Sequence, residues 1–441
     1  MKQLFLYISL LPAVAAAQGQ WSMDECMDYA ASHGAAVEQA RWDLAAANAD
    51  LTEAIGDFFP SVQAQVGAQF NWGRNIDPET NTYNNVTTFN NGYGIYASMM
   101  LFDGGQTFNR YRRARVDRQR SRNAVDLKRD DLAISAMMAY VDAVYYLNSM
   151  KIADDRLAAS RDMLLLTERQ EELGMKGRPD VAQARATVAD DEYNRVRQEN
   201  LYTQAMLTLR TSMNLPADMP LEVDSVAPSV TPEPVMDDAE AVYSLAAATN
   251  PRALDADMAV RSSRYALRTA KGLYSPTISL SAGISTSYFK TITDGYTAPS
   301  FGDQFRNNRG EYVSATITIP LFSGMSRVAS VRRASASLHK AESARDEQLR
   351  RLHDDIASAV ADRQGYAMEI LALEAKTDAD LEAYTLNRRK FEEGLLSMID
   401  LQISANTYYA SRVSLLQKQM LYILKTKLVD YYKGEPLWMS K

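Results

Sequence analysis

Few side chains in this sequence are equipped for chemistry. His33, His339 and His353 are the only histidines and Cys26 is the only cysteine in a chain of 441 residues. His339 and His353 stand fourteen residues apart, which is not ligand spacing on one helical turn. No HExxH, P-loop, GxSxG or CxxC pattern occurs. Isolated histidines on polar helices are solvated groups rather than ligands, so no catalytic, cofactor-binding or metal-ligating residue is expected, and no cofactor. Cys26 cannot form an intrachain disulfide. It sits in "MDEC", without the apolar and small residues that precede a lipidated cysteine, and reads as a buried structural thiol. What remains is charge at marked positions. "ELGMKGRPDVAQARA" and "EGLLSMIDLQISA" each place a glycine six residues before an aspartate: Gly174 and Asp180, then Gly394 and Asp400. In such a turn the glycine stops one helix and the aspartate caps the next. "RYRRARVDRQRSR" crowds Arg110, Arg112, Arg113, Arg115, Arg118, Arg120 and Arg122 together, a pattern that in isolation suggests nucleic acid.

These charges need elements to hold them, and two patterns supply those elements. In "SVQAQVGAQFNW" every second residue is apolar: Val62, Ala64, Val66, Ala68, Phe70 and Trp72. Strict alternation predicts a strand with one oily and one wet face. It returns in "SPTISLSAGISTSY" through Ile278, Leu280, Ala282, Ile284 and Tyr288. Each run follows a proline, Pro60 or Pro276, and leads through a polar loop to a second strand. The second strands are "YGIYASMMLFDGG" and "EYVSATITIPLFSGM", and the latter aligns Val313, Ala315, Ile317, Ile319 and Leu321 on one face. The other pattern is helical. From Gln106 to about Glu172 there is no proline or glycine, and Leu127, Ile134, Met138, Val141, Tyr145 and Ile152 recur at spacings of three, four or seven. At 1.5 Å per residue such a rod reaches roughly 100 Å. Leu349, Leu352, Ile356 and Val360 form the matching stripe further on.

The elements repeat at an offset of 220 residues: "LFDGG" at Leu101 with "LFSGM" at Leu321, Gly174 with Gly394, Asp180 with Asp400. The chain is therefore expected to duplicate one unit of helix, strand, loop, strand, very long helix, tight turn and helix. Residues 18–215 form the first copy, with its hairpin at about 60–102. Residues 239–433 form the second, with its hairpin at about 276–322, and 434–441 are a tail. The seam at 216–238 contains Pro216, Pro220, Pro228, Pro232 and Pro234, which rule out a continuous helix.

The compartment follows from the start of the chain. Lys2, the apolar run Leu4 to Val14 and the small residues of "AVAAAQ" read as a signal peptide over 1–17, cleaved after Ala17. No later segment offers the roughly 18 apolar residues that a helical span needs, and the mean hydropathy is -0.31. An exported chain with a net charge of -7 is not a nucleic-acid binder, whatever its local arginines. Four strands cannot close a membrane barrel, which needs about eight or more. Three copies would supply twelve, and strands of this length suit a tilted bilayer crossing.

The order and equal spacing of these features resemble the outer membrane efflux protein family of TolC-type channels, over essentially the whole mature chain. The resemblance is carried by the duplicated helix–hairpin–helix unit and by "PSV" and "PTI" entering the first strands. "LFDGG" and "LFSGM" leaving the second strands, "NPRALDAD" opening the second copy and the paired helical turns complete it. It implies a mixed α and β fold: a homotrimer with a twelve-stranded barrel in the outer membrane, continued by a periplasmic α-helical barrel closed at its far tip. The channel would be the exit duct of a tripartite efflux pump or type I secretion system. Its partners would be a periplasmic adaptor (membrane fusion) protein, an inner-membrane pump reached indirectly or at the tip, and outer membrane lipid. The tip would comprise Gly174, Asp180, Phe391, Gly394, Asp400 and Ile403. Asp400 matches the first of two acidic aperture positions and Ile403 replaces the second. The usual arginine falls on Leu396.

Position also explains the arginines. Arg110, Arg112, Arg113 and Arg115 directly follow a strand, Arg264, Arg268 and Lys271 directly precede one, and Arg332 and Arg333 follow the last. A basic collar at the periplasmic rim would meet lipid phosphates; the alternative is a solvated, salt-bridged helix face. The loops "GRNIDPETNTYNNVTTFNNG" and "KTITDGYTAPSFGDQFRNNRG" are expected outside the cell. Two rival architectures make other demands. A trimeric adhesin or autotransporter needs contiguous C-terminal strands, and a soluble coiled-coil tether is extracted in aqueous buffer. If the oily faces meet lipid, Val66→Arg impairs assembly by about 2–4 kcal/mol near the bilayer midplane, whereas Gln65→Arg on the wet face is tolerated. Equal yields of folded protein from the two variants would contradict this topology.

Overall fold

The computed structural model describes residues 20–76, 81–224, 232, 237–292 and 297–438. The expected signal peptide 1–17, Pro228 and Pro234 of the seam, and residues 439–441 of the tail lie outside the described residues. In chain order the elements are α1 (Met23–His33), α2 (Ala35–Gly56), β1 (Ser61–Asn71), β2 (Arg74–Ile76), β3 (Tyr83–Asn85), β4 (Thr87–Phe102), α3 (Gln106–Glu172), α4 (Arg178–Ser212), α5 (Ala239–Thr249), α6 (Pro251–Gly272), β5 (Thr277–Ile292), α7 (Phe301–Asn307), β6 (Gly310–Thr318), α8 (Ser326–Glu392) and α9 (Met398–Tyr432). The fold is thus mixed α and β. α3 and α8 each run for 67 residues, and α4 and α9 each for 35. Two compact units form, one from residues 1–41, 124–253 and 349–441, the other from 42–123 and 254–348. Each draws on both halves of the sequence, because α2, α3, α6 and α8 run from one into the other.

The second unit holds a four-stranded antiparallel sheet in the order β1-β4-β5-β6. Its register puts residues of one kind side by side. Val62, Ala97, Ala282 and Val313 form one row, and Ser61, Ser98, Ser281 and Ser314 form the next. Ala64, Ile95 and Ile284 extend the apolar side, while Gln63 and Gln65 stand on the other. No core covers the oily rows: Val62 is 67% and Val313 77% exposed. A soluble sheet would bury such a face.

Three details depart from the sequence expectation. β6 ends at Thr318, before Ile319 and Leu321, because Pro320 has no N–H to continue a ladder. The first loop contains the small hairpin β2–β3, where Arg74 lies 5.0 Å over the Tyr83 ring. The second contains α7, capped by the Ser300 hydroxyl accepting from the Asp303 amide. β6 begins opposite Ser285, so the upper part of β5 lacks that neighbour. The Gln304 side chain fills in, donating to Phe289 O and accepting from Phe289 N, both at 2.9 Å. α7 also completes a chain of rings, Trp72, Phe70, Phe89, Tyr288, Phe301, Phe305 and Tyr93, with successive centroids 4.7 to 6.3 Å apart.

The strand-to-helix junction explains "LFDGG". Asp103 caps α3, its carboxylate accepting from both the amide and the hydroxyl of Thr107 at 2.7 Å. Gly104 has φ +71, and a Cβ there would stand 2.5 Å from both the Gly272 carbonyl and Ser275 Cβ. Turn and α6 therefore touch through bare backbone.

In the first unit, a buried core gathers α1, α3, α4 and α9 residues around Tyr140, Val144, Leu147, Leu209 and Met420. Ser22 and Glu25 form a capping box on α1. Cys26 is buried, and burial pushes its thiol up to about 12. Val141 and Ile152 of the expected stripe are buried, but Met138 is 51% exposed, while Ala133, Ala136, Met137 and Ala143 are fully covered. α3 is wrapped on several sides here, so a single coiled-coil stripe misplaces its register. Leu352, Ile356 and Val360 of the second stripe are buried as expected. The C-terminal segment docks through Asp130, which accepts from Tyr431 Oη at 2.8 Å and Trp438 Nε1 at 2.9 Å. Burial pushes the Asp130 carboxyl above the usual carboxylate range. Asp237, just before α5, is held by Arg363 at 2.5 Å and Lys433 at 2.6 Å.

Gly104→Ala should cost more than about 2 kcal/mol, since left-handed strain adds to steric overlap. Gly105→Ala, also at positive φ but with only an ordinary contact to Asn109 Nδ2 at 3.8 Å for its Cβ, should cost only about 1 kcal/mol. Denaturant titration in detergent distinguishes them, and equal losses would show that the close approach to α6 is unimportant.

Candidate functional site

The turns α3–α4 and α8–α9 lie together in the first unit, joined by the side chains of Lys176 and Gln170 and, one turn further on, by Gln183 with Gln402. Both use the same backbone device. Gly174 and Gly394 have φ +73 and +77, and Met175 N and Leu395 N each reach back to close the turn on Gln170 O and Lys390 O at 2.8 Å. Lys176, from the first turn, donates from Nζ to Leu396 O of the second at 3.2 Å. The same Nζ stands 4.7 Å from the centroid of Phe391. Phe391 is fully buried, with Met163, Ala184, Tyr384, Met398 and Leu401. It is a core residue beneath the two turns. Gln170 adds a bond from Nε2 to Glu392 O at 3.2 Å.

The two aspartates sit one turn further in than a simple cap. Asp180 and Asp400 each occupy the third position of their helix, so the caps are Gly177 and Ser397. Asp180 accepts from Gly177 N at 3.0 Å, and Asp400 accepts from Ser397 Oγ at 2.6 Å. Asp400 is exposed and Ile403, one turn on, is 59% exposed. Both therefore remain available to a neighbour or to a passing solute.

A polar node that the sequence did not announce lies beside the Phe391 core. Arg156 meets Asp191 at 2.6 Å, donates to Asn406 Oδ1 at 2.7 Å and lies 5.7 Å over Tyr409. A cavity of about 40 Å³ separates these groups from Tyr384. Burial pushes the Asp191 carboxyl up, and Arg156 pulls it back only in part. Arg156 and Asp191 come from different helices, so no short-range spacing pairs them.

The arginine collar divides into two kinds in the second unit. Arg110 is held by Asp57 at 3.3 Å and Asp103 at 3.7 Å, Arg113 by Asp117 at 3.4 Å, and Arg120 by Asp255 at 2.9 Å. For these the solvated, salt-bridged reading holds. Arg112 stacks on the exposed Phe108 ring at 4.2 Å, and Arg268 on Tyr265 at 5.5 Å. Arg115, Arg264, Lys271, Arg332 and Arg333 have no carboxylate partner among the described residues.

The family model for outer membrane efflux proteins matches residues 28–215 and 242–423, two stretches that together span most of the chain. The chain belongs to the outer membrane efflux protein family. Outer membrane efflux protein BepC of Brucella suis biovar 1 is 24% identical over 368 residues, 80% of this chain and 73% of BepC. Alkaline protease secretion protein AprF of Pseudomonas aeruginosa is 22% identical over 354 residues, 78% of this chain and 70% of AprF. Among solved structures, the outer membrane protein VceC of Vibrio cholerae aligns with a TM-score of 0.80 at 15% identity, covering 93% of this chain and 96% of VceC. The CmeC outer membrane channel of Campylobacter jejuni gives 0.80 at 12% identity, covering 94% and 87%. At those identities the structural likeness is one of fold. This outer membrane efflux protein is thus a transport duct and not an enzyme, resident in the outer membrane with helices extending into the periplasm.

Lys176→Ala should release the two tip turns from each other. A lost charge-assisted hydrogen bond and cation–π contact remove about 1–2 kcal/mol of local stability, a roughly five- to thirtyfold faster opening. Amide exchange at 173–178 and 393–397 should rise accordingly while global melting moves little. Unchanged exchange in both turns would mean that Lys176 does not join them.

Proposed function

We propose that three copies of this outer membrane efflux protein close their sheets into one twelve-stranded barrel and place their helices round a common duct. The observation that carries this reading is the sheet itself. β1 and β6 both have an unpaired edge within the chain, and both carry exposed apolar rows. Open edges are not tolerated in hydrocarbon, whereas a closed ring pairs every backbone group. Four strands per copy, three times over, reach a size that closes. The valine and isoleucine rows then meet lipid, and the serine and glutamine rows line water. The rings from Trp72 to Tyr93 form the outer girdle. Phe58, Phe59 and Phe108, exposed at the other end of the sheet, form the inner one. Arg112, Arg115, Arg264, Arg268 and Lys271 reach lipid phosphates there, each arginine by bidentate hydrogen bonds.

The helices lead to the tip, where Gly174, Asp180, Gly394, Asp400 and Ile403 frame a closed aperture over the buried Phe391. A periplasmic adaptor (membrane fusion) protein and an inner-membrane pump deliver cargo to that end, as the component of a tripartite efflux pump or of type I secretion. Relatives with both kinds of name support the two uses: the toluene efflux pump protein TtgC of Pseudomonas putida and the secretion protein AprF. An adhesin is disfavoured because the two hairpins are far apart in sequence and join only where β4 pairs with β5.

Three Asp400 carboxylates round one axis repel each other and favour a bound cation, which would obstruct the closed pore. Ile403 removes a second acidic ring and weakens that block. Single-channel recording of Asp400→Asn should show loss of cation preference and of divalent block from the periplasmic side, with stability little changed. Unaltered selectivity together with earlier melting would reduce Asp400 to a helix-capping residue.

A further inference from the structure

The two open sheet edges dictate which helices of neighbouring copies meet. β1 is reached from α2, and β6 leads into α8. A copy that lays β6 antiparallel against the next copy's β1 brings the sheet-proximal end of its α8 beside the sheet-proximal end of that neighbour's α2. This step rests on the edge-to-edge closure proposed above. The meeting helix ends carry opposite charge. On α2, Asp43, Asp50 and Glu53 are exposed and have no cationic partner among the described residues. On α8, Arg332, Arg333 and Lys340 are exposed and have no carboxylate partner among them. The two cations that share a groove with Asp50 and Glu53 are already paired, Arg110 with Asp57 and Arg113 with Asp117.

Depth matches as well as sign. Asp50 lies six residues from Gly56 at the end of α2, and Arg332 lies six residues from Ser326 at the start of α8. Asp43 lies thirteen residues from the one end and Lys340 fourteen from the other. At about 1.5 Å per residue both members of each pair stand at about 9 Å and about 20 Å from their helix ends. Ala45, Ala46 and Ala49 keep the exposed side of α2 low, and beside it a groove of about 210 Å³ opens between α2 and α3 with Asp50 and Glu53 on its rim.

We propose that the seam between copies is an ion-pair ladder. Asp43, Asp50 and Glu53 of one copy face Arg332, Arg333 and Lys340 of the next, and the ladder repeats at every seam. Its occupant is a second copy of this chain, not lipid and not an adaptor. Arg332 and Arg333 thereby leave the lipid-facing collar. Complementary charge of this kind fixes register and rejects wrong partners more than it adds affinity, so reversal is the informative change.

The test uses the full chain in detergent, with the oligomer of the unaltered protein measured first by light scattering. Asp50→Lys with Glu53→Lys, and separately Arg332→Glu with Arg333→Glu, should each raise the dissociated fraction on the order of tenfold, because like charges then face each other at every seam. The fourfold variant should regain most of the loss, and rising salt should shrink all the differences. Asp50→Cys with Arg332→Cys should form disulfide-linked oligomers on oxidation, a readout that does not depend on stability. A fourfold variant as weak as the sum of its halves, with no linked oligomer, overturns the ladder while leaving the trimer. A monomeric unaltered protein overturns the closure and the ladder together.

Discussion

A strand edge inside a hydrocarbon layer cannot be left unpaired. Each orphaned N–H or C=O there costs several kcal/mol, with no water to take its place. This chain builds a sheet whose oily face is bare and whose outer strands, β1 and β6, end in open edges. Alone in water it would be an aggregation template. Alone in lipid it would carry two rows of unsatisfied backbone. The closure with further copies proposed above would remove both problems at once, and would require the chain to hold its two hairpins in one sheet.

Two devices hold them. At the sheet, Asp103 and Gly104 turn the chain from strand to helix in so little space that α6 touches bare backbone. Away from it, polar groups tie distant parts of the sequence to the long helices: the buried Asp130 with Tyr431 and Trp438, and the half-buried Asp237 with Arg363 and Lys433. The Asp130 contacts would be costly to break one-sidedly, since its carboxyl would stay buried with a partner missing. At the far turns Lys176 joins the two halves through a carbonyl and a ring, beside the Gln170 bond to Glu392 O.

Much of this was legible because it is periodic. Alternation around Val66 and Ile284 marked the strands and their exposed face, and the absence of proline and glycine after Gln106 marked the length of α3. Gly174 and Gly394 marked the turns because only a left-handed residue closes them cheaply. What escaped was contact between distant residues. α7 takes over the pairing of β5 through one glutamine, Gln304, and nothing in seven residues of loop announces that. Met138 looked like part of a seam, but α3 there is wrapped on several sides and its buried arc is wider than one stripe. Arg110 and Arg113 fitted a lipid-facing collar or a salt-bridged helix face equally, and Asp57 and Asp117 hold them. Periodicity says which side of an element is oily, not which partner arrives there.

The account stands on the claim that the oily sheet face meets lipid and the serine–glutamine face meets water. Spin labels placed one at a time along β4 and β5 in reconstituted bilayers test it most directly. The account predicts that labels at Ile95, Ala97, Ala282 and Ile284 collide with dissolved oxygen and are shielded from a water-soluble nickel complex. Labels at Gly94, Ser98, Ser281 and Ser285 should show the reverse, with a period of two along each strand. Alternation of the opposite sense, or none, would contradict it.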